Sequence, residues 1–497
     1  MTPRRRSTPL TAFACLVILS SVLTAGSPLM AEVASTLQTD PRQMQFEPVQ
    51  FTPPDPERLV LDNGMVVYLL EDHELPLVTV TATIRTGGWL DPPDKVGLAA
   101  ITASVMRTGG TQRMSAVEVD EELEYLAANI SVGIGTESGG ATLDVLKKDL
   151  KRGLGIFADI LMRPAFDPDR LEIAKLQTIE AIRRRRDLPQ PIAGREFSKL
   201  LYGADHPYAR ENTVESVSRI VREDLQGFHA RAIQPNGIIL GVTGDFEKEA
   251  VLAALREVFA AWPKGEVSPP MPSTVQLDEG SVPVHGNGTN GQRTAHYVGK
   301  AVTQTHVRMG HLSIKENDAD YPALLILNDI LGGGGFRSRL FQEVRTKQGL
   351  AYSVGSSVAA GTREWGAFVV KAETKSASTS EVIERMAANM KRLREEPVTE
   401  AELTQAKEAF VNSFVFSFAS SSAIVNRLIG LEYDGLPKDF LQQLRDKVVK
   451  LTPADLQRVA EKHLHPDRVK LLAVGDPDML AKQLAKFGAV KEIKLEN

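Results

Sequence analysis

The chain has 497 residues, of which 42% are hydrophobic and 24% are charged, so we expect a folded chain of more than one domain. The formal net charge of −5 argues against a protein that binds nucleic acid by electrostatic attraction, because such proteins usually carry a basic patch. Cys15 is the single cysteine of the chain, which excludes disulfides within the chain and zinc sites built on cysteine.

The N-terminal segment has the pattern of a signal peptide over residues 1–31. The basic stretch Arg4–Arg6 precedes the apolar stretch LTAFACLVILSSVLTAG, and Ala31 is a plausible cleavage residue. An uncleaved membrane anchor is the alternative interpretation. We expect cleavage, export to a bacterial periplasm and no membrane attachment afterwards, because no other apolar run reaches the roughly 18 residues of a spanning helix. Residues 32–55 are expected to form an extended arm.

Residues 56–262 are expected to form a first domain of the α+β class. The stretches MVVYLLED and PLVTVTATIRTGG predict strands, the second with clear alternation of apolar and polar residues. Helix starts are marked by a capping box at Ser115 and Glu118, and by an N-cap at Asp167. The helix that begins after Asp167 should run to about Arg186.

A second domain is predicted from an internal duplication. EDLQGFHARAIQPNGIILGVTGD, which ends at Asp245, and ADLQRVAEKHLHPDRVKLLAVGD, which ends at Asp476, share Asp-Leu-Gln, a central proline and a final Gly-Asp at a constant offset. Residues 263–292 are rich in Pro, Gly and Ser, which is typical of a linker. The duplication therefore predicts two tandem homologous α+β domains, 56–262 and 293–497, each with an antiparallel-rich sheet packed with helices.

Several stretches, in this order, resemble the pitrilysin/insulinase family of zinc metallopeptidases, the inverzincins. They are GGWLDPPDKVGLA, the HPY of His206–Tyr208, FHARAIQPNGIILGVTGD and GGGGFRSRLFQEVRTKQGLAYSV. The resemblance covers nearly all of the chain after residue 31 and implies the metallopeptidase LuxS/processing-peptidase-like fold. It also implies a helix with the motif H-x-x-E-H, in which two histidines one turn apart ligate zinc and the glutamate takes a proton from the zinc-bound water.

The zinc motif is degenerate in this chain. The resemblance places the two histidines at Ala100 and Ser104, the glutamate at Ala103, and the third ligand, a glutamate of a second helix, at Glu180. Alanine offers no lone pair and a serine hydroxyl is a poor zinc ligand, so one ligand of three is left. We expect no metal and no other cofactor on this chain, with zinc on a partner subunit. The structural interpretation of Glu180 is a solvated or paired helix carboxylate.

The second domain retains a different part of the family's site. The resemblance matches Arg345 and Tyr352 to an Arg–Tyr pair that reaches across the substrate cleft, where both could stabilise charge on a substrate carbonyl oxygen. The alternative is an ordinary surface arginine and a half-buried strand tyrosine. Four glycines precede this pair and resemble a loop used in substrate recognition by the non-catalytic subunit of mitochondrial processing peptidase: Gly332, Gly333, Gly334 and Gly335. They are no phosphate loop, because the G-K-[ST] ending is missing.

Three functions are compatible with these observations. The leading hypothesis is a non-catalytic, substrate-binding subunit of a periplasmic zinc metallopeptidase heterodimer that acts on peptides, in which a homologous partner holds the zinc and this chain supplies Arg345 and Tyr352. The first alternative is an inactive scaffold or binding protein of the same fold without a peptidase partner. The second is an autonomous peptidase, which would need His206, His229 and Glu180 to converge.

Two further patterns have ordinary structural explanations. The run Arg183–Arg186 lies near a helix end, where a solvated basic face is favoured by the helix dipole, although it could also contact a partner or an acidic peptide. His463 and His465 have no third ligand nearby in the sequence, so we expect no metal there.

Overall fold

The computed structural model describes residues 54–273, 275 and 294–495. The predicted signal peptide lies outside these ranges, as do the predicted arm up to residue 53 and most of the predicted linker. Within the described ranges no single helix is long and apolar enough to cross a membrane, although one bent pair, Glu400–Phe418 with Ser421–Asp434, passes that test by length and composition.

The first half is built on a six-stranded sheet in which some strands alternate between buried and partly exposed residues. Val78, Val80, Ala82 and Ile84 of one strand, for example, are all buried. The strands are β1 (Glu57–Val60), β2 (Val66–Glu71), β3 (Leu77–Ile84), β4 (Asn129–Ile134), β5 (Gly139–Leu146) and β6 (Ile238–Gly244). The helices are α1 (Leu98–Thr108), α2 (Ala116–Tyr125), α3 (Leu150–Met162), α4 (Pro168–Arg184), α5 (Pro189–Tyr202), α6 (Val214–Ser218), α7 (Arg222–Ala232) and α8 (Lys248–Phe259). The strand order across the sheet is β1-β2-β6-β3-β5-β4.

The second half repeats this architecture. Its strands are β7 (Thr294–Gly299), β8 (Gln304–Leu312), β9 (Ala351–Ala359), β10 (Ala367–Lys375), β11 (Lys470–Gly475) and β12 (Ala489–Glu492). Its helices are α9 (Tyr321–Asn328), α10 (Thr379–Glu395), α11 (Glu400–Phe414), α12 (Ser421–Asp434), α13 (Phe440–Lys450), α14 (Pro453–His463) and α15 (Pro477–Leu484). The strand order is β12-β7-β11-β8-β10-β9.

The two sheets have the same topology in five of their six strands, which confirms the predicted α+β fold of two homologous units. The sheets are mixed, because β2 pairs with β6 in parallel and β7 pairs with β11 in parallel, while most other pairs are antiparallel. The sixth strand differs in origin. In the first half it is β1, antiparallel to β2, and in the second half it is β12, which comes from the C-terminal end and runs parallel to β7.

One helix of each half also packs on the sheet of the other half. Helix α12 packs Val425, Ile429 and Tyr433 against Tyr68 and Ile239 of the first sheet. The approach is close enough that a Cβ on Gly241 of β6 would lie 2.5 Å from a methyl group of Val425. Burial of this apolar surface favours the joined arrangement by roughly 25 cal/mol per Å² removed from water.

Helix α5 makes the reciprocal contact. Ile192, Phe197 and Leu201 of this first-half helix pack against Val298 and Leu472 of the second sheet. Each sheet is thus covered by helices of its own half on one face and by a helix of the other half on the opposite face. The two halves are therefore joined by an extensive apolar contact in addition to the chain that links them.

A buried carboxylate also joins the halves. Glu364 of the second half is fully buried and accepts hydrogen bonds from His206 Nε2 (3.2 Å), Ser273 Oγ (3.0 Å) and the amides of Val275 (3.2 Å) and Trp365 (2.8 Å). His206 Nδ1 accepts a hydrogen bond from the Tyr208 amide at 3.1 Å, which assigns the ring proton to Nε2. The HPY landmark of the sequence therefore has a structural role between the halves.

Candidate functional site

Helix α1 carries the degenerate zinc motif, and its start is held by a buried aspartate. Gly97 precedes the helix with φ of +107°, a conformation that favours glycine. Asp91 accepts hydrogen bonds from the amides of Gly97 and Ala99, both at 2.8 Å. Burial raises the pKa of Asp91, and these amide hydrogen bonds oppose the rise. The start of the helix is therefore fixed by Asp91, although the helix lacks reactive side chains at the predicted motif positions.

The three motif positions on α1 have different environments. Ala100 is exposed and lines an open cavity of about 460 Å³. Ala103 is 1% exposed and belongs to the packed interior. Ser104 is partly buried, and its carbonyl oxygen accepts a hydrogen bond from Thr108 Oγ1 at 3.0 Å. None of the three side chains can replace a histidine ligand or the glutamate base.

Glu180, the predicted remaining ligand position, is not among the residues that line this cavity. Its carboxylate pairs with Arg183 one turn later on α4, and 48% of its side chain is exposed. The residue of this turn that lines the cavity is Ala181, together with Thr178 and Ile182. The residues present therefore do not fit a zinc ion of the family's type, because no ligand of the motif reaches the cavity.

Arginines occupy the wall of the cavity instead. Arg185 donates to the carbonyl and side-chain oxygens of Asn212, both at 2.7 Å. Arg195 Nε lies 2.6 Å from Glu211, and Arg210 donates to main-chain carbonyls at the start of the α1 approach. All five residues line the cavity. Of these, only Arg185 was a candidate in the sequence, where the run Arg183–Arg186 predicted a solvated basic face; in the structure 18% of its side chain is exposed.

The histidines invoked for an autonomous peptidase do not converge with Glu180. His206 contacts Glu364, whereas His229 Nε2 donates to the Leu161 carbonyl at 2.8 Å in a setting where burial lowers the pKa of His229. Each of the three residues has a different partner. The structure therefore gives no support to a zinc site built from them.

One cluster in the described part of the chain has the spacing of a metal site. Asp318, Asp320 and His463 bring their ligand atoms within 4.8 Å of one another. Asp320, however, already pairs with Lys462 at 2.7 Å and with Arg458 at 2.8 Å, besides His463 at 2.9 Å. These cations neutralise the carboxylate and would repel a metal ion, so the cluster is an ion-pair network between α9 and α14.

Arg345 and Tyr352 come together in an exposed group that we call the aromatic–arginine cluster: Phe336, Phe341, Arg345 and Tyr352. The guanidinium carbon lies 4.7 Å from the ring centre of Phe341, 5.5 Å from that of Tyr352 and 6.0 Å from that of Phe336. Tyr352 is 72% exposed and Phe336 is 74% exposed, so Tyr352 is not the half-buried strand tyrosine of the alternative interpretation. Stacking on ring faces orients Arg345 and leaves the N–H groups at the edge of the guanidinium plane available as donors.

The four glycines before this cluster lie next to β9, at the end of a π-helical segment (Asp329–Gly333) and the start of a 3-10 segment (Gly335–Arg337). A Cβ on Gly332 would lie 2.4 Å from the main-chain nitrogen of Ser356, and one on Gly333 would lie 2.4 Å from the Asn328 side chain. Gly334 is similarly close to Asp329, whereas Gly335 has φ of +61° and open space around it. Close packing thus explains three of the glycines and backbone conformation explains the fourth. Their role in substrate binding stays a prediction.

The segment that follows the glycines is fixed to α11 by an ion pair. Arg339 makes two hydrogen bonds to Glu402, at 2.6 and 2.8 Å, and Glu402 also caps α11 by accepting from the Thr399 amide at 2.9 Å. The hydrogen bond from Arg339, with help from Thr399, lowers the pKa of Glu402 to about 2 from an ordinary value of 4.5, although burial opposes the change.

Glu402→Gln should therefore destabilise the protein in a pH-dependent way. Because the folded-state pKa is depressed, the ionised carboxylate stabilises the fold above about pH 4.5, and this contribution is lost as the pH falls towards 2. The difference in urea midpoint between wild type and Glu402→Gln should be largest at neutral pH and should shrink over that window. Glu408→Gln, at an exposed position of the same helix, is the control. A difference that stays constant from pH 7 to pH 3 would contradict the assignment.

Comparisons with known proteins agree with this architecture. The family models described as Insulinase (Peptidase family M16) and Peptidase M16 inactive domain match residues 66–203 and 219–410. The chain is 26% identical over 401 residues to the non-peptidase homolog YmxG of Helicobacter pylori, which covers 79% of this chain and 88% of that protein. It is 29% identical over 322 residues to an uncharacterized zinc protease of Mycobacterium leprae, which covers 64% of this chain and 69% of that protein.

Solved structures show the same fold. A peptidase M16 inactive domain protein of Pseudomonas fluorescens matches with a TM-score of 0.74 and 26% identity, covering 85% of this chain and 98% of that one. The periplasmic protease PqqL of Escherichia coli matches with a TM-score of 0.69 and 13% identity, covering 92% of this chain and 52% of that one. Two tandem family matches on two sheets of one topology lead to one conclusion: the chain belongs to the insulinase family of peptidases, M16, as a member of the inactive type.

Proposed function

We propose that this chain is the non-catalytic, substrate-binding subunit of a periplasmic zinc metallopeptidase heterodimer that acts on peptides. A homologous chain with an intact H-x-x-E-H motif would hold the zinc and the general base. This chain would supply Arg345 and Tyr352, which hold the substrate carbonyl next to that zinc. The periplasmic location is supported by the signal-peptide pattern of residues 1–31.

The aromatic–arginine cluster is the observation that carries this proposal. Two of its rings, Phe336 and Tyr352, are exposed beside the arginine, and exposed apolar groups that cluster on a surface mark interaction sites. The cluster offers a fixed cation, a phenol hydroxyl and apolar ring surface, which together suit an extended peptide. Helix α1 lacks every reactive group of the motif, so hydrolysis is assigned to the partner.

A scaffold without a peptidase partner is the second candidate function. The name of the Helicobacter pylori relative, a non-peptidase homolog, supports the loss of hydrolytic activity, which both candidates share. The two differ in what the aromatic–arginine cluster does. In a heterodimer the cluster contributes to the rate of cleavage, whereas in a scaffold it would contribute to binding alone.

Reconstitution with a zinc-bearing homologue from the same cell tests the proposal. The mature chain should form a complex with that homologue, detected by size-exclusion chromatography with mass identification of both subunits. Each subunit alone should hydrolyse a fluorogenic peptide mixture slowly, and the complex should be at least about 100-fold faster, the scale expected when oxyanion donors are supplied. Zinc measured in the complex should be lost when the partner's motif histidines are replaced. A stable complex with no gain in rate would favour the scaffold.

A further inference from the structure

The cavity at the degenerate zinc position is lined by both apolar and positively charged side chains. Ala100, Ala181 and Ile182 form an apolar side, open to solvent at the two alanines. Three arginines, Arg185, Arg195 and Arg210, line the same cavity.

The carboxylates around the cavity do not fully balance these cations. Glu211 is shared among Arg195 at 2.6 Å, Lys199 at 2.9 Å and Arg185 at 3.6 Å. Lys199 has a second carboxylate partner in Glu196 at 2.8 Å. One glutamate therefore serves two of the guanidinium groups that line the cavity.

The hydrogen bonds of two of the arginines go to uncharged groups. Arg210 donates to the main-chain carbonyls of Asp91 and Gly88, and Arg185 donates to Asn212. The Asp91 carboxyl group also lines the cavity and attracts Arg210, and it accepts the amides at the start of α1. Three guanidinium groups and the carboxyl groups of Asp91 and Glu211 therefore line the cavity, which leaves one positive charge in excess in a partly buried setting, where charge–charge interactions are screened less than at the surface.

We propose that this cavity binds a carboxylate of a peptide, either an acidic side chain or a free C-terminus, between the arginines and the apolar side formed by Ala100 and Ala181. Arginine suits this ligand because its planar fork of donors matches a carboxylate in two parallel hydrogen bonds. The excess positive charge that favours a carboxylate would repel a divalent cation such as zinc. The inference rests on the proposed function only in taking the ligand to be a peptide.

Direct binding to the mature full-length chain, without any partner, tests this inference. Three short fluorescent peptides of one sequence are compared by anisotropy: one with glutamates and an amidated C-terminus, one with glutamines and an amidated C-terminus, and one with glutamines and a free C-terminus. We expect one of the two carboxylate-bearing peptides to bind at least about tenfold more tightly than the neutral peptide, the scale of one charge-assisted contact, and its affinity to fall with added salt. The two arms distinguish a side-chain carboxylate from a C-terminal one.

Matched variants locate the binding. Arg185→Gln should remove most of the preference for the carboxylate, whereas Arg183→Gln, in the same basic run but paired with Glu180 outside the cavity, should not. Ala100→Glu should abolish the preference by supplying a competing carboxylate, while the equally large Ala100→Gln should retain part of it. This second pair leaves the hydrogen bonds of the arginines intact, so it decides the question even where Arg185→Gln unfolds.

Equal binding of all three peptides overturns the inference, as does an equal loss with Arg183→Gln and Arg185→Gln, or with Ala100→Glu and Ala100→Gln. The outcome is independent of the heterodimer. If the chain binds no carboxylate but still assembles with a partner and supports cleavage, this inference alone is contradicted. If the chain binds the carboxylate but has no peptidase partner, the inference holds and the proposed function is contradicted.

Discussion

Replacing Arg345 by alanine should lower kcat for peptide cleavage by the reconstituted heterodimer by about 100- to 1,000-fold, which corresponds to roughly 3–4 kcal/mol on the barrier. Tyr352→Phe should have an effect of similar size. The tyrosine variant keeps the ring that stacks on Arg345, so it removes the hydroxyl donor without removing the support of the guanidinium. Both losses follow from the removal of a donor to the oxygen on which charge develops during attack on the peptide carbonyl.

A second exposed arginine–tyrosine pair provides the control. Arg152 lies over the ring of Tyr125 at 5.3 Å, and Tyr125 is 76% exposed, so the geometry resembles that of the aromatic–arginine cluster. Arg152→Ala and Tyr125→Phe should leave kcat unchanged, and all four variants should assemble normally, because surface changes usually stay within about 0.5 kcal/mol of stability. Wild-type rates for Arg345→Ala and Tyr352→Phe in an assembled complex would remove the catalytic contribution of this subunit and favour the scaffold.

Glu364→Ala should lower the free energy of unfolding by about 3–5 kcal/mol, because each buried donor left without an acceptor costs roughly 1–3 kcal/mol. The substitution leaves four donors without their acceptor, including His206 Nε2 and the amides of Val275 and Trp365. Glu364→Gln should lower the free energy of unfolding by less, because its side-chain oxygen can still accept hydrogen bonds. Its NH₂ group cannot accept them, so part of the loss remains. Urea denaturation followed by far-UV circular dichroism measures both values.

The control for this prediction is Glu247→Ala, at a glutamate whose side chain is 73% exposed and which lies 3.8 Å from Lys147. Exposed ion pairs contribute about 0–1 kcal/mol, so its midpoint should barely move. A loss at Glu364 no larger than that at Glu247 would mean that the buried contacts between the halves do not hold them together.

Local features of the sequence predicted local structure well. Ser115 and Glu118 form the predicted capping box, and Asp167 accepts hydrogen bonds from the first amides of α4, which ends at Arg184, two residues before the predicted end. These signals are readable because a cap and its helix are neighbours in the chain. The duplication predicted a shared topology for the same reason, since it repeats whole helix–turn–strand units.

The candidate site was less predictable, because a shift of one residue turns a helical side chain by about 100°. Counting along the sequence selected Glu180, whereas the helix presents Ala181 to the cavity. The same rotation separates Arg183, which pairs on the outer surface, from Arg185, which reaches the cavity wall. A basic run read as one solvated face therefore conceals residues in two environments. The partners of Arg185, namely Asn212 and Glu211, lie far along the chain and gave no local signal.

The exchange of α5 and α12 between the halves affects how the chain can assemble. When the first half emerges, during synthesis or export, Tyr68 and Ile239 lack their cover, which arrives only with the residues of α12. Contacts between such distant segments close slowly, so the first sheet is exposed to misassociation for the longest time. Once both halves have folded, the exchanged helices α5 and α12 hold them together. A proteolytic cut within residues 276–293 would yield two fragments that remain together, because each still provides the cover for the other's sheet.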